Sequence, residues 1–560
     1  MHTNRSFKWF LCLSGACLVF LLTACAAGQT AATPTSVARP TPTPTIPVRS
    51  SAYLWRSQFP RLCCLAIILL FVLSACDSGT VNIPSAPTPT PFYSLAGGGS
   101  CVRLGNHPQP PYANIQVSDD TYKAHSETML VENPSNPLYL VGGSKFFTDP
   151  AHYRFQIGYF TSHDGGCTWK DGGVLPGFRS DLLTSDPSFT YGPDHRVYAA
   201  VLFSAPSLNG ESGIAVSTST DDGLTFGPPT IVFDDKTGKV FSDKPWIAVD
   251  QTSGPYRGNI YVVWSYDHGG SCGFGNDCSE ELAFSRSSDG GKTFSPVSLI
   301  EGHAPFCTNK ATGRPTGSTL CDAAQGAIPL VEPDGTIAVA FPYIDLMSGP
   351  IPTRLLVTTS PDSGITWTTP VLIATIHDID GRFSPERYRV LSLPAFACDH
   401  RTGQLYITWS DKGRRDADIL FSASKNGGQS WSAPVRVNDD AMNNGANQFQ
   451  PQMSVAPDGV ISISFFDTRL DPRHEFIDVY LAQSVNHGVS FLKNVRVTTQ
   501  TWNPATGAPT DEYGNQFIGD YQGIASDNHF AHPFWNDTRT GSQQVFTAAV
   551  PSALPDGSQS

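Results

Sequence analysis

The sequence predicts an all-β fold, a β-propeller made of four-stranded blades. Three observations lead to this prediction: a short turn motif that recurs six times, an apolar strand pattern that alternates with it, and a composition rich in turn-forming and aromatic residues. The 560 residues include 50 glycines and 45 prolines, and Phe, Tyr and Trp make up 11%. Many turns combined with many aromatic residues favour short strands over long helices.

The turn motif is an octapeptide of the form Ser-x-Asp-x-Gly-x-Thr followed by an aromatic residue. Its Asp or Asn side chain can accept hydrogen bonds from the amides of the turn, and its glycine supplies a positive φ. Successive copies begin 57 to 73 residues apart. The motif therefore predicts a tight hairpin in each of six repeated units, at Asp164, Asp221, Asp289, Asp362, Asn426 and Asn486.

A second pattern predicts the number of blades. An alternating apolar strand follows a Pro, Asp or Gly turn seven times, and a further apolar segment precedes each of these strands. We assign the pairs as inner strand A and strand B, followed by strand C, the turn motif and outer strand D. The seventh unit ends with strand C at 543–550, and a segment near the start of the body, such as 113–117, could supply its missing strand D. The count predicts seven blades in a ring closed by both ends of the chain, which removes an exposed sheet edge.

The octapeptide matches the Asp box, or bacterial neuraminidase repeat, of the sialidase superfamily, and the resemblance covers roughly residues 100–552. Segments 466–469, 517–521 and 535–539 look like those of secreted bacterial sialidase-like (exo-alpha-sialidase-like) proteins. The resemblance implies six blades, against the seven of the repeat count, and a structural role for the Asp box. It also implies that active members bind a sugar carboxylate with three arginines, attack with a Tyr assisted by Glu, and protonate the leaving group with an Asp.

The first family arginine is not found in this chain. Where the family has that arginine, on the first inner strand, segment 125–130 carries Glu127 instead. The geometry of a propeller also predicts where a site would lie. The turns that lead into strand A and out of strand B meet at one end of the channel. Blades 7, 1 and 2 are neighbours in a closed ring, so Asp520, Glu127 and Asp186 are expected to cluster, with Lys244 beside them. The residues directly before strand A are Glu127, Asp186, Lys244, Gly326, Leu393, Gln450 and Asp520.

Candidate functional residues follow from these positions. Arg469 and Arg539 come after equivalent strands B of blades 6 and 7, so we expect them to point into one cavity with Tyr521, close to Glu127. Arginine can bind a carboxylate there through two parallel hydrogen bonds. The same arginines could instead pair with nearby aspartates and brace neighbouring blades. The carboxylate cluster could alternatively hold Ca²⁺ through oxygen ligands. The catalytic candidates are Tyr521, Glu127 and Asp186, and the ligand-binding candidates are Arg469, Arg539, Asp520 and Lys244.

Two classes of function stay open from the sequence. One is a surface glycosidase of exo-alpha-sialidase type, and the alternative is a non-catalytic propeller that binds glycan or protein at its channel face. The fold does not decide between them, since propellers host many activities. The expected partner is a glycan, including one that ends in a sialic-acid-like acidic sugar, and we expect a monomer. The formal net charge of −13 argues against a nucleic-acid partner.

The N-terminus has the features of an export signal, and these features occur twice. Residues 1–25 have a basic start and an apolar run that ends in Leu-Thr-Ala-Cys25, and residues 56–76 repeat this design up to Cys76. The residues up to Cys25 and up to Cys76 each resemble the bacterial lipobox, whose cysteine is lipidated. A Pro/Thr tract, which forms an extended spacer, follows each of these two cysteines. We therefore expect an exported lipoprotein at the bacterial cell surface or in the periplasm. The predicted divisions are a signal at 1–25, a tether at 26–92, the propeller at 93–552 and a tail at 553–560.

Seven of the 13 cysteines lie in the exported body, where disulfides can persist. No C-x-x-C or Cys/His set has the spacing of a zinc site, so a structural zinc is not predicted. The predicted pairs are Cys272 with Cys278, Cys307 with Cys321 and Cys101 with Cys167, which leaves Cys398 unpaired.

Overall fold

The computed structural model describes residues 110–553, apart from 120, 208–209, 269–278, 301, 308–320, 322–323, 344–352, 380–387, 414 and 512–513. All of these residues belong to the compact unit Leu95–Ser560. Their secondary structure consists of 29 strands and one short 3-10 helix, Pro150–His152. No helix in this described part is long and apolar enough to cross a membrane. The prediction of an all-β fold is confirmed.

The strands form seven antiparallel sheets, six of which are built from four consecutive strands. The first strand, β1 (Ile115–Gln116), belongs to the last sheet. Blade 1 contains β2 (His125–Asn133), β3 (Asn136–Asp149), β4 (Arg154–Ser162) and β5 (Lys170–Val174). Blade 2 contains β6 (Leu183–Tyr191), β7 (Val197–Ser204), β8 (Ser212–Ser219) and β9 (Thr230–Asp235). Blade 3 contains β10 (Val240–Val249), β11 (Ile260–His268), β12 (Ser279–Ser287) and β13 (Ser298–Leu299).

The next three blades have the same order of strands. Blade 4 contains β14 (Ile328–Val331), β15 (Ile337–Tyr343), β16 (Thr353–Ser360) and β17 (Val371–Ile376). Blade 5 contains β18 (Ala395–Asp399), β19 (Gln404–Asp411), β20 (Asp418–Ser424) and β21 (Val435–Arg436). Blade 6 contains β22 (Gln448–Val455), β23 (Ile461–Asp467), β24 (Asp478–Ser484) and β25 (Val495–Arg496).

Blade 7 joins the two ends of the described chain. It contains β26 (Gly523–Ser526), β27 (Phe530–Asp537), β28 (Gln544–Thr547) and the short β29 (Val550–Pro551), which pairs with β27. Strand β1 pairs with β28, with Ile115 opposite Thr547 and Gln116 opposite Phe546. The seven-blade prediction and the outer-strand assignment of segment 113–117 are therefore confirmed, and the six blades implied by the family resemblance are wrong for this chain.

Hydrophobic cores lie between neighbouring blades, because successive side chains of a strand point to opposite faces of its sheet. The second strands of blades 3, 5 and 7 each carry a fully buried tryptophan: Trp264, Trp409 and Trp535. Trp264, for example, belongs to a cluster that includes Tyr198 of blade 2. Truncation of such a buried aromatic side chain typically costs about 3–5 kcal/mol, so packing between blades is a main source of stability.

The octapeptide turns share one hydrogen-bond pattern. In blade 1, Asp164 Oδ1 accepts bonds from the amides of Cys167 and Thr168 at 3.0 and 2.9 Å, and Asp164 Oδ2 accepts one from Thr168 Oγ1 at 2.6 Å. The aromatic residue of the second turn, Phe226, packs edge-on against Tyr159 of the preceding blade, with ring centroids 4.8 Å apart. The turn thus uses its own side chain, and the same contacts occur at Asp221, Asp289 and Asp362. At Asn426 and Asn486 the Oδ1 also accepts from a turn amide, but the Nδ2 donates to the serine hydroxyl.

One predicted disulfide is confirmed. Cys307 and Cys321 are bonded, with Cα atoms 5.1 Å apart, and Cys398 is free and buried. The other predictions on cysteines and termini concern residues outside the described part of the chain: Cys101, Cys272, Cys278, the lipidation candidates Cys25 and Cys76, and segments 1–25, 26–92 and 554–560.

Candidate channel site

Four inner strands share a bulge near their first residues. The ladders of β2, β6, β10 and β22 each skip two residues there. The first skipped residue has a left-handed backbone, with φ of 54° at Glu127, 53° at Asp186, 46° at Lys244 and 48° at Gln450. In three of the four strands the next residue is proline, which has no N–H to offer the ladder. A bulge turns its side chain away from the regular sheet direction, so the four bulges present polar side chains to the channel.

Ion pairs connect these bulges across the channel. Lys244 Nζ of blade 3 lies 2.7 Å from Asp520 Oδ2 and 3.5 Å from Asp186 Oδ1. Because Asp520 precedes blade 7, Lys244 links three blades. Arg389, in the linker between β17 and β18, binds the same carboxylate, with Nε 3.0 Å from Asp520 Oδ1 and Nη2 2.7 Å from Oδ2. The structure brings three of the predicted residues together and adds Arg389, which the sequence did not indicate.

Glu127 pairs with a cation of its own blade. Its Oε2 lies 2.8 Å from Lys145 Nζ of β3, and both side chains are buried. The Lys145 ammonium also lies 4.5 Å from the ring centre of Phe155 and 4.7 Å from that of Phe517. Arg389 lies over the same Phe517 ring at 4.7 Å. Phe517 therefore connects the Glu127 pair to the Asp520 cluster.

The environment divides the channel carboxylates into two groups. Burial disfavours the charge of Asp520, but Arg389 and Lys244 outweigh it and hold the pKa of Asp520 below its usual range. Burial raises the pKa of Glu127 to about 7, although Lys145 opposes the shift. Burial also raises the pKa of two unpredicted residues near Lys244, Asp243 to about 6 and Glu280 to about 8. Near neutral pH, Asp520 is therefore ionised, whereas Glu127, Asp243 and Glu280 have pKa values between about 6 and 8 and titrate in this range.

Tyr521 has the opposite environment to that of an activated nucleophile. Burial, reinforced by the negative charges of Glu127, Asp186 and Asp520, raises the pKa of Tyr521 well above 10. The phenol therefore stays protonated near neutral pH. Its ring packs against Trp246, with centroids 5.6 Å apart. In this state Tyr521 can donate a hydrogen bond, but it is not prepared to attack a sugar.

Arg469 does not lie in the channel. Its Nε lies 2.7 Å from Asp467 Oδ2, and its Nη1 lies 2.5 Å from Asp439 Oδ1 of the preceding blade. Its Nη2 donates to Asn494 Oδ1 at 3.3 Å, and the guanidinium lies 4.2 Å over the ring of Tyr480. The side chain thus runs outward, between blades 5 and 6.

Arg539 makes the same contacts one blade further on. Its Nη2 lies 2.5 Å from Asp537 Oδ2, and its Nη1 donates to Asn114 Oδ1 at 2.7 Å and to Thr499 Oγ1 at 3.1 Å. The guanidinium lies 4.6 Å over the ring of Phe546. The expected placement of the two arginines beside Tyr521 and Glu127 is therefore wrong. An aspartate two residues earlier directs each arginine into the seam between blades, so the bracing alternative describes the geometry.

Little space remains in the channel beside these groups. The cavity lined by Trp246, Leu393, Gln450 and Tyr521 has a volume of about 10 Å³, enough for about one water molecule. Small-molecule pockets usually measure about 300–1,000 Å³. A sugar ring therefore does not fit into this cavity beside Tyr521 in this conformation.

The acidic residues are not arranged as a metal site. Within the described residues, no group of three or more His, Cys, Asp or Glu side chains is placed to hold a metal ion. The Lys244 ammonium lies between Asp186 and Asp520 and supplies the positive charge that Ca²⁺ would provide there. These side chains do not fit the Ca²⁺ alternative.

No family model and no curated protein matches the chain. Solved structures similar to it include a protein of unknown function from Dyadobacter fermentans DSM 18053, at 14% identity and a TM-score of 0.44, covering 68% of this chain and 97% of that one. A Hadza microbial sialidase is similar at 15% identity and a TM-score of 0.40, covering 74% and 75%. An alpha-L-arabinofuranosidase from Fusarium graminearum is similar at 13% identity and a TM-score of 0.40, covering 63% and 92%. The assignment of seven blades rests on the strand pairing of the chain itself.

Proposed function

We propose that this chain is an exported, membrane-tethered propeller that binds glycans on its channel face without hydrolysing sialosides. The observation that carries the proposal is the closure of the channel by its own side chains, which leaves about 10 Å³ beside Tyr521. Binding must then take place on the face around the channel. The six octapeptide turns, with their resemblance to the sialidase superfamily, favour glycan over protein as the ligand.

The charges in the channel argue against a sialidase centre. Such a centre needs cations that are free to hold the sugar carboxylate. Lys145, Lys244 and Arg389 each already pair with a carboxylate. With Arg469 and Arg539 between the blades, the described channel offers no unpaired arginine or lysine for an acidic sugar. The proposed ligand is therefore a glycan without a preference for sialic acid.

Glycoside hydrolysis by carboxylates is a second candidate, favoured by one observation. Glu127, with a pKa raised to about 7 by burial, is half protonated near neutral pH, which suits a general acid or base. Hydrolysis would require the channel to open enough for a glycosidic bond to reach Glu127.

Two measurements on the purified full-length protein distinguish glycan binding from hydrolysis. A glycan array reports binding, and release of 4-methylumbelliferone from sialosides and neutral glycosides reports hydrolysis. We expect array binding and no release. Release that disappears in Glu127→Gln but persists in Glu475→Gln, a control at a carboxylate that pairs with Arg473 between β23 and β24 of blade 6, would establish the second candidate. The absence of both binding and release would refute both functions.

The membrane tether is a separate part of the proposal. We infer lipidation at Cys76 or Cys25 from the two lipobox-like segments and their spacers. Mass spectrometry of the mature N-terminus tests this directly. An unmodified N-terminus at another residue would exclude lipid anchoring, although the glycan proposal would be unaffected. Light scattering after size exclusion tests the expected monomer.

A further inference from the structure

We propose that a groove between blades 1 and 2 is the glycan-binding site and that it takes a neutral oligosaccharide; this inference rests on the function proposed above. The groove has a volume of about 560 Å³, within the usual range for ligand pockets. The strand order places it on the channel face, because it is formed by the loops that follow strand B in blades 1 and 2 and by the linker between these blades. Its lining includes Arg154, Phe155, Gln156, Ser180, Leu183 and Pro206.

One wall of the groove is an extension of blade 1. Strand β3 spans 14 residues, and the 3-10 turn Pro150–His152 connects it to β4. Tyr153, directly after this turn, has a left-handed backbone with φ of 50° and packs on Phe155 and Phe517 with centroids 5.0 and 5.8 Å away. The next residue, Arg154, is exposed at the groove, and the described residues give its guanidinium no ion pair. The extension therefore has a packed base and presents an uncommitted donor.

The opposite wall is held in place before any ligand binds. Arg179 pairs with Asp181 through Nε and Nη2 at 3.1 and 3.0 Å. The same guanidinium pairs with Glu211 through Nη1 and Nη2 at 3.1 and 2.8 Å. This double fork fixes the linker between the blades against blade 2. A site whose walls are already ordered loses less entropy on binding.

The chemistry of the lining favours a neutral sugar chain. Asp149 and Asp181 contribute negative charge and Arg154 contributes positive charge, while Arg179, outside the lining, is shared between Asp181 and Glu211. An acidic sugar therefore gains no net attraction. Sugar hydroxyls, which donate and accept, find both kinds of partner in Arg154, Gln156 and the aspartates. Leu183 and Pro206 offer apolar surface to the C–H face of a sugar ring.

The groove also explains how a glycan site can lie beside a closed channel. Phe155 lines the groove, and its ring lies 4.5 Å from the Lys145 ammonium that pairs with Glu127. The ion pair of Lys145 and Glu127 thus packs behind the wall of the groove that Phe155 forms. In this arrangement the ion pair does not contact the ligand.

The test uses the full chain and an array of neutral oligosaccharides of one to six sugar residues, with the same chains capped by sialic acid. Arg154→Ala removes the free donor, and Ser180→Trp fills the groove from an exposed position. The control is Arg415→Ala, which changes an exposed arginine on the corresponding loop of blade 5. Melting temperatures show whether each variant is folded.

We expect stronger binding of neutral chains of three or more residues than of monosaccharides. Arg154→Ala should weaken it about tenfold or more, since a lost charged hydrogen bond has that effect. Ser180→Trp should weaken it by a similar factor because the indole occupies the groove, while Arg415→Ala should match the wild type. Wild-type affinity in both groove variants would overturn the site but leave glycan binding standing. Binding of sialylated chains alone would overturn the neutral ligand. A wild type that binds no glycan would refute the proposed function and this inference together.

Discussion

Replacement of Asn114 by alanine tests how the ring is closed. Asn114 directly precedes β1, whose ladder with β28 contains only two residue pairs. Its Oδ1 accepts bonds from Arg539 Nη1 at 2.7 Å and from the Thr499 amide at 2.8 Å, and its Nδ2 donates to the Val497 carbonyl at 2.9 Å. One side chain therefore ties the N-terminal strand to both blade 6 and blade 7.

The chain provides a matched control at Asn494, which precedes the outer strand of blade 6. Asn494 Oδ1 accepts from the Asp439 amide at 2.9 Å and from Arg469 at 3.3 Å, and its Nδ2 donates to Val437 at 3.1 Å. The contacts are equivalent, but the strand after Asn494 is joined through the chain to the other strands of its own blade. Only Asn114 combines these contacts with ring closure.

Each substitution removes two neutral hydrogen bonds at about 1 kcal/mol each and one to a charged group at about 1.5–3 kcal/mol, so we expect a loss of about 3.5–5 kcal/mol in both variants. The variants should differ in hydrogen exchange. Asn114→Ala should expose the Val117 amide, which bonds Val545 O at 2.8 Å, whereas Asn494→Ala should leave it protected. Unchanged urea unfolding and unchanged Val117 exchange in Asn114→Ala would refute the closure argument.

Three further predictions concern stability. Deletion of residues 543–560 removes β28, the partner of β1, and should lower the melting temperature sharply; an unchanged melting temperature would show that the ring does not need this strand. Lys145→Met leaves Glu127 buried without its cation and should cost up to about 3–5 kcal/mol at pH 9, where the carboxyl is ionised, and less at neutral pH, where it can be protonated; adding Glu127→Gln should recover part of this loss in a double-mutant cycle. Because burial raises the pKa of Glu127 from 4.5 to about 7, the folded state binds this proton more tightly, so its contribution to stability is lost as the pH rises from about 4.5 to 7. Glu127→Gln should flatten that part of the pH profile, and an unchanged profile would contradict the shift.

Periodic features of the fold were predictable because repetition makes them visible. Each blade repeats the same strands, so a unit that lacked its outer strand pointed to the segment near residue 115 as the replacement. The residues of the channel could be found in the same way, and Lys244, Asp186 and Asp520 do meet. Their predicted place directly before strand A is wrong for Lys244 and Asp186, because these residues lie at bulges inside β10 and β6. The position of a residue within the repeated unit is sufficient for such predictions.

Features outside the repeat were not predictable by this reasoning. Arg389 lies in a linker between blades, and no periodicity indicates that it reaches Asp520. Lys145 lies on a second strand, whose side-chain direction depends on the bulge in the strand beside it. Arg469 and Arg539 were assigned to the right strand ends, but each turns outward because an aspartate two residues earlier binds its guanidinium. Side-chain direction at a strand end depends on local pairing, which strand position alone does not determine.

The strained bulges explain why the channel is closed. A left-handed backbone at a residue other than glycine costs on the order of 1–3 kcal/mol and persists only where the surrounding structure enforces it. At Lys244, contacts with Asp520 and Asp186 provide this enforcement and join three blades near the axis. Farther from the axis, Phe226 of an octapeptide turn packs on Tyr159 of the preceding blade, and Arg469 and Arg539 brace blades 5, 6 and 7. A ring held at both radii cannot widen its channel without breaking buried ion pairs, so ligand binding is more readily accommodated in the open groove between blades 1 and 2.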